Sequence, residues 1–477
     1  MDQTRTPIID MLRRFGDVSR GYFCIPSHHR GTSADDGFIS LLGKEVLKYD
    51  LTETPLTDDL HEAEGPIREA EELAADAFGA DRSFFLVNGT TCGNEAMIIS
   101  SVKEGEKILV AENCHKSALM GLIISGAKPV FIRPSVSPSF RAFSSVTPES
   151  VEKAFFENPD AKALFLTSPT FHGICSDIRS IAEICLRNNA LLLADEAHGA
   201  HFAFSGRLPE SAMSQGADMA SQSIHKTGGS MTQSSMLHVR GGAERIAAVN
   251  EALKLVQSTS PSYILMASLD GARHSLAVRG RELTDAMLDT AEYIRKGINS
   301  VQGAICCGKD GSVFDADLSR LVFRINGLSG FELSDILFNE SGICTEMCDN
   351  FSVVAIVGPG DSREDADRLI NAVRSAAEKH RVSDAGFSLD SLPFLPPSVI
   401  TPRAAFFSAV ERVPFGESLG RICAEMIAPY PPGIPVIYPG QLMTPEVHSF
   451  ISDALAKGRH IHGFSDGSGK TVKVIKK

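Results

Sequence analysis

The chain has 477 residues, 43% hydrophobic and 22% charged, with 46 Lys and Arg against 59 Asp and Glu for a net charge of -13. These are the proportions of an ordinary globular protein, and at roughly 100–200 residues per domain the length predicts two to four domains. The acidic balance argues against nucleic acid as a partner, because neutralising phosphates needs clustered Lys and Arg, and it favours encounter with cationic small molecules.

The opening stretch MDQTRTPIIDMLRRF has no apolar run followed by a small-residue cleavage site, so no signal peptide is expected. No apolar run approaches the ~20 residues a membrane span requires, so no membrane partner is expected. The 10 Cys are irregularly spaced and contain no C-x-x-C pair. That spacing is neither a disulfide framework nor a zinc-finger pattern, and it predicts a cytoplasmic protein with reduced thiols.

In chain order, Ser83–Val87 (SFFLV) reads as a strand ending at Asn88-Gly89. Lys107–Ala111, Pro129–Ile132, Ala163–Thr167 and Leu191–Ala194 are further short apolar runs, and Thr147–Asn158 and Asp177–Asn189 between them have helical spacing. Strands alternating with helices predict parallel βαβ units in a doubly wound sheet, and continuous apolar strands fit a sheet covered on both faces. A long helical pattern over Asp270–Ser300 leads out of this region into a second α/β unit with strands near Leu321–Ile325 and Phe351–Val357. Ser388–Pro402 is rich in Pro and Ser and reads as a linker into a last small domain. There, Pro429–Gly440 (PYPPGIPVIYPG) carries too many prolines for a helix and predicts an extended surface segment. The organisation expected is an N-terminal arm over 1–60, a large domain over 61–270, a small α/β domain over 271–387 and a C-terminal domain over 388–477.

Four segments carry candidate chemistry. Asn88-Gly89-Thr90-Thr91-Cys92-Gly93-Asn94 follows a strand and opens a helical pattern, so a glycine turn, hydroxyls and a helix N-terminus make a phosphate cradle. His115, in NCHKS just past the KILVA strand, can stack on a flat ring or handle protons. In LLLADEAHGAH an apolar strand runs directly into Asp195, and ligands of open α/β sheets sit beyond the carboxyl ends of strands. A competing reading makes Asp195, Glu196, His198 and His201 metal ligands, with the two histidines on one helical face; it leaves the next segment without a role, so no metal is assigned. That segment is Ser223-Ile224-His225-Lys226-Thr227-Gly228-Gly229, in which a polar, glycine-flanked stretch surrounds one lysine. Lysine condenses with aldehydes in a sheltered site. About thirty residues separate Asp195 from Lys226, room for one more βα unit.

With NGTTCGN, NCHKS, ADEAHGAH and SIHKTGGSMTQSS in this order, the chain resembles the pyridoxal-5′-phosphate (PLP)-dependent ornithine/lysine/arginine decarboxylases. PSHHRG, the stretch from Asp50 to Asp81 and PYPPGIPVIYPG extend the resemblance over nearly the whole length. It is similar to the shorter bacterial branch, associated with arginine and less often with lysine. The resemblance implies fold type I, with a mostly parallel seven-stranded sheet covered by helices on both faces, a small α/β domain and a C-terminal domain. It implies PLP as a Schiff base on Lys226, with Asp195 at the pyridine nitrogen and His115 stacked on the ring. Gly89, Thr90, Thr91, Cys92 and Ser223 would form the phosphate site, His198 would lie against the cofactor, and His225 would help to position cofactor and substrate carboxylate. Ser258, in Ser258-Thr259-Ser260-Pro261, would reach the phosphate of a neighbouring subunit, so a homodimer or an assembly of dimers with shared sites is implied. Glu346, with Asp349 second, would meet the distal cation of the substrate.

Three positions depart from the family pattern. Cys92 stands where a hydroxyl is common, which leaves the backbone N–H for a phosphate. Gln441 follows YPG where Glu is common, and PSHHRG is looser than the usual PGHKGG. The activity implied is decarboxylation of arginine to agmatine. The alternatives are decarboxylation of lysine to cadaverine or ornithine to putrescine, an aminotransferase or lyase on the same fold, and a non-catalytic PLP-binding protein. An aminotransferase usually needs an arginine clamp and an aromatic stacking residue, and the stacking position here is His115.

Overall fold

The computed structural model describes residues 1–18, 21–380, 395–429, 435–456, 458 and 461–476. Seven strands form one sheet: β1 (Arg82–Leu86), β2 (Lys107–Ala111), β3 (Lys128–Ile132), β4 (Ala163–Thr167), β5 (Leu191–Asp195), β6 (Met219–Gln222) and β7 (Ser235–Val239). Their order is β1-β7-β6-β5-β4-β2-β3. The sheet is mostly parallel, with β2 parallel to both β3 and β4. The exception is β7, which pairs antiparallel with β1 and with β6. β1, β4 and β7 are buried along their whole length, as a sheet covered on both faces requires.

By its contacts the chain divides into two units, Met1–Ser100 with Ala194–Gly206 and Glu210–Glu282, and Ser101–Leu193 with Arg207–Pro209 and Leu283–Lys477. In the first, α1 (Pro7–Val18), α2 (Pro66–Phe78) and the start of α8 (Tyr263–Asn299) share one core, in which Ile8, Ile67, Phe85, Ile224 and Tyr263 are fully buried. α2 starts at Pro66, whose missing N–H costs nothing there, and ends at Gly79 in the left-handed conformation. Asp270 and Arg273 form a wholly buried ion pair at 2.6 Å, and the second oxygen of Asp270 accepts the backbone N–H of Ile8 at 3.0 Å. That bond meets one of the N–H groups α1 leaves free at its start. α3 (Gly89–Ser101) follows β1 in this unit, and the short α7 (Ile224–Thr227) follows β6.

The second unit holds α4 (Lys116–Ser125), α5 (Pro148–Glu157) and α6 (Ile178–Arg187), the last two capped by Thr147 and Asp177. It also holds a four-stranded sheet of β8 (Ala304–Cys306), β9 (Arg320–Ile325), β10 (Met347–Cys348) and β11 (Val353–Ile356), in the order β8-β9-β11-β10. α9 (Gly330–Ser341) and α10 (Arg363–His380) pack on it around Leu321, Phe323, Leu337 and Val373. A further core around Ile427, Ile437, Met443 and Ile451 carries the ribbon β12 (Val410–Pro414) and β13 (Thr471–Ile475).

The interval between Asp195 and Lys226 holds one further strand and the short helix after it, β6 and α7, as its length allows. Two expectations are corrected. Between Asp195 and β6 the chain has only turns and the three-residue helix Phe202–Phe204. His198 and His201 therefore share no α-helical face. β7, unexpected from the sequence, joins the sheet as well; its SMLHV run lies beside Gly- and Ser-rich residues that mask the strand pattern. Of the proline-rich stretch, 430–434 lie outside the described residues, but Val436, Ile437 and Tyr438 are buried rather than on the surface. Proline forbids helix without forbidding burial, and Ile437 pairs as an isolated bridge with Ile427. Of the Ser388–Pro402 stretch, 388–394 also lie outside the described residues. Among the described residues no helix is long and apolar enough to cross a membrane.

Candidate active site

The first unit gathers three of the four predicted segments at neighbouring strand ends. Asp195 closes β5 and is 2% exposed. One carboxylate oxygen accepts Nδ2–H of Asn94 at 2.9 Å and the other accepts the backbone N–H of Ala197 at 3.2 Å. Asn94 stands one turn after Thr90 on α3, so both present the same face. Thr90 Oγ1 lies 2.7 Å from Ser223 Oγ and 3.2 Å from Ser235 Oγ, which gives a buried group of three hydroxyls at the start of the helix. Gly89, at φ +75°, turns the chain from β1 into α3. Gly93 lets the helix approach β6, since a Cβ there would stand 2.2 Å from Ser221 Oγ.

The thiol of Cys92 turns back to the carbonyl of Gly89 at 3.1 Å. Burial pushes it up to about 12, so it stays a neutral thiol at pH 7. What this position can offer an anion is its backbone N–H. Thr91, beside it, is half-buried.

Lys226 lies on α7, where its N–H bonds the carbonyl of Ser223 at 3.1 Å. Its Nζ is 2.9 Å from Nε2 of His198. A protonated amine only donates, so against it Nε2 is the acceptor. His225 Nδ1 is 2.8 Å from the carbonyl of Ser234; since a carbonyl only accepts, that nitrogen carries the proton and the ring is fixed. Ser258 is held beside the glycine turn, where its N–H meets Asn88 Oδ1 at 3.2 Å and its carbonyl meets His61 Nε2 at 2.8 Å.

The remaining predicted residues belong to the second unit. His115 caps α4, its Nδ1 3.3 Å from the backbone N–H of Ser117 and 2.9 Å from Ser117 Oγ. Glu346 is exposed, and its backbone N–H bonds Val354. Asp349, expected as a second substrate carboxylate, is already engaged: one oxygen is 2.9 Å from His172 Nε2 and the other accepts the N–H groups of Phe351 and Ser352. Gln441 is 1% exposed, and its Oε1 accepts the N–H of Tyr438 at 2.7 Å, closing the Tyr-Pro-Gly turn. The departure at Gln441 thus has a structural task within the C-terminal core.

The sequence did not single out Asn94 as the bond partner of Asp195, gave no role to Ser235, and offered Glu196 only as a metal ligand in the competing reading. The i,i+4 spacing of Thr90 and Asn94 was a usable signal. Ser235 carries none, because its place depends on the antiparallel strand β7.

The model of the Orn/Lys/Arg decarboxylase major domain matches residues 6–315, and that of the Orn/Lys/Arg decarboxylase C-terminal domain matches residues 391–469. The chain is 39% identical to the arginine decarboxylase of Halalkalibacterium halodurans, over 99% of this chain and 98% of that protein. It is 38% identical to the arginine decarboxylase of Bacillus subtilis, over 100% and 99%. In shape it is similar to the lysine decarboxylase LdcF of Francisella novicida, with a TM-score of 0.85 at 23% identity over 99% of this chain and 81% of that one. The architecture is that of the fold type I PLP enzymes. The chain belongs to the Orn/Lys/Arg decarboxylase family.

Proposed function

We propose that this protein decarboxylates L-arginine to agmatine with PLP held by Lys226. The observation that carries the chemistry is the placement, within one unit, of a lysine amine, a buried carboxylate and a hydroxyl-lined helix start at neighbouring strand ends. Arginine is favoured by identity over nearly the full length with relatives named arginine decarboxylase.

The residues fit the cofactor. Asp195 is buried with its carboxylate held from both sides, which suits a pyridine N–H. Thr90, Ser223 and Ser235, with the free N–H groups at the start of α3, suit a phosphate. Bound there, PLP supplies a sink for the electrons of the bond to the departing carboxylate. Asn94 fixes Asp195, and Asp195 keeps the ring nitrogen protonated. Lys226 would hold the cofactor through its amine. His198, with Nε2 directed at Nζ, orients that amine and receives its proton. His225 is the second candidate for positioning the substrate carboxylate. His115 is proposed as the ring-stacking residue, Ser258 as a phosphate contact to a partner subunit, and Glu346 as the carboxylate for the guanidinium, which a carboxylate can meet through two parallel hydrogen bonds.

The test is product identification with purified, PLP-loaded protein and arginine, lysine and ornithine supplied separately. Agmatine formed in step with CO2, at a kcat/KM well above the other two, supports the reading. Cadaverine or putrescine as the better product overturns the substrate, and no CO2 from any of the three overturns the activity.

A further inference from the structure

Behind the site, on the other face of the same strands, runs a polar chain that the chemistry above does not use. Glu196, the residue after Asp195, is 2% exposed; Oε1 accepts the N–H of Ala212 at 2.7 Å and Oε2 accepts Nε2–H of Gln222 at 2.7 Å. Gln222 Oε1 is 3.1 Å from His238 Nε2, and His238 Nδ1 is 2.7 Å from Ser83 Oγ. Gln222, His238 and Ser83 are 1%, 0% and 0% exposed, and Phe78 stacks on the imidazole at 4.6 Å.

The donors and acceptors of this chain run in one direction. The amide oxygen of Gln222 only accepts, so His238 Nε2 carries the proton. Burial pushes the imidazole down to about 3, so it is neutral and its Nδ1 is bare. Ser83 therefore donates to Nδ1. The order is Ser83 to His238 to Gln222 to Glu196, ending on a carboxyl group that also ties down the N–H of Ala212.

Strand geometry gives the chain its purpose. Ser83 and His238 are directly opposed across β1 and β7, and Gln222 lies two residues along on the same face. Successive side chains point to opposite faces, so two members have a site residue directly beside them: Glu196 follows Asp195 and Gln222 precedes Ser223, while His238 lies on β7 about 10 Å along the strand from Ser235. The bond from Ala212 also closes the loop that carries His198.

We propose that the Ser83–His238–Gln222–Glu196 chain is a positioning device that locks the ends of β5, β6 and β7 in register, and that Glu196 and Gln222 are positioning residues for Asp195, His198 and Lys226. The proposal deepens the reading above, but its main readout, the affinity of the apoprotein for PLP, does not depend on which amino acid is the substrate.

Two variants test it. Gln222→Met keeps the bulk of the side chain and deletes both of its bonds. The exchange Glu196→Gln with Gln222→Glu moves the carboxylate one place while keeping an acceptor for Ala212, a bond between the two side chains and an acceptor for His238. Gln222→Met is expected to weaken PLP binding about tenfold and to lower kcat with KM within about twofold, and the exchange to stay within about threefold of the parent in both. Gln222→Met at parental PLP affinity overturns the proposal even if its Tm falls, because the network is then structural only. An exchange variant as impaired as Gln222→Met overturns it too. Should Gln222→Met fail to fold, the exchange decides alone: parental affinity supports the device and a tenfold loss overturns it. Loss of decarboxylation by every protein, the parent included, would strike the proposed activity and leave the affinity comparison standing.

Discussion

Nζ of Lys226 stands 2.9 Å from Nε2 of His198, and this bond joins the loop after β5 to the short helix after β6. The nitrogen facing the lysine is the one able to take its proton, which supports the proposed role of His198. His198→Ala is expected to lower kcat by about 10²–10⁴, the range of a positioned acid–base group. PLP affinity should fall far less. Steady-state kinetics beside a PLP titration read this, and a variant with parental kcat removes His198 from the chemistry.

Glu196 makes stability depend on pH in a stated direction. Burial pushes its carboxyl up to about 8, while the hydrogen bonds from Gln222 and Ala212 pull the other way. The folded protein then holds a proton that the unfolded chain, with an ordinary value near 4.5, releases. Stability from this group is full below about pH 4.5 and is lost as pH rises towards 8. Glu196→Gln cannot ionise, so its Tm relative to the parent should rise by a few degrees between pH 5 and pH 8. Taking the difference cancels Glu71 and Glu95, which burial also raises, each to about 7. A pH-independent difference would show that Glu196 titrates normally.

Gly93 is needed for space. A Cβ there would meet Ser221 Oγ at 2.2 Å and Leu86 Cδ1 at 2.8 Å. Gly93→Ala should cost about 1–3 kcal/mol, the usual range for overpacking. Gly93→Ala with Ser221→Gly should recover part of that, and denaturant unfolding of the four proteins of the cycle measures the interaction. Strict additivity would mean that the helix moves away instead.

Glu346 and Asp349 should separate on substitution. Asp349 closes its own turn and pairs with His172, so Asp349→Asn should lower Tm with little change in KM. Glu346→Gln is expected to raise KM for arginine about tenfold or more, with PLP affinity unchanged, since a charged hydrogen-bonding partner is worth about 1.5–3 kcal/mol. An unchanged KM removes Glu346 from the substrate pocket.

The sheet was legible in the sequence wherever a strand was a continuous apolar run: Lys107–Ala111 and Ala163–Thr167 agree to the residue. Helix ends were legible through their caps, as at Thr147 and Asp177. β7 was not, because SMLHV puts a serine and a histidine in a strand, and both are paid for by partners far away in sequence, Thr90 and Gln222. The motifs located the lysine, the carboxylate and the glycine turn. They did not reveal which groups hold them, because Asn94 to Asp195 and His198 to Lys226 are contacts across strand ends. Asp349 looked like a free carboxylate because its partner, His172, lies 177 positions away.

The most direct test is to reduce the PLP-loaded protein with borohydride, which fixes a carbonyl cofactor to the amine that holds it, and to map the modified peptide by mass spectrometry. One pyridoxyl group per chain is expected on Lys226, and none on a Lys226→Ala variant treated in the same way. Modification of a different lysine, or an unmodified Lys226 in fully loaded protein, would contradict the role proposed for Lys226.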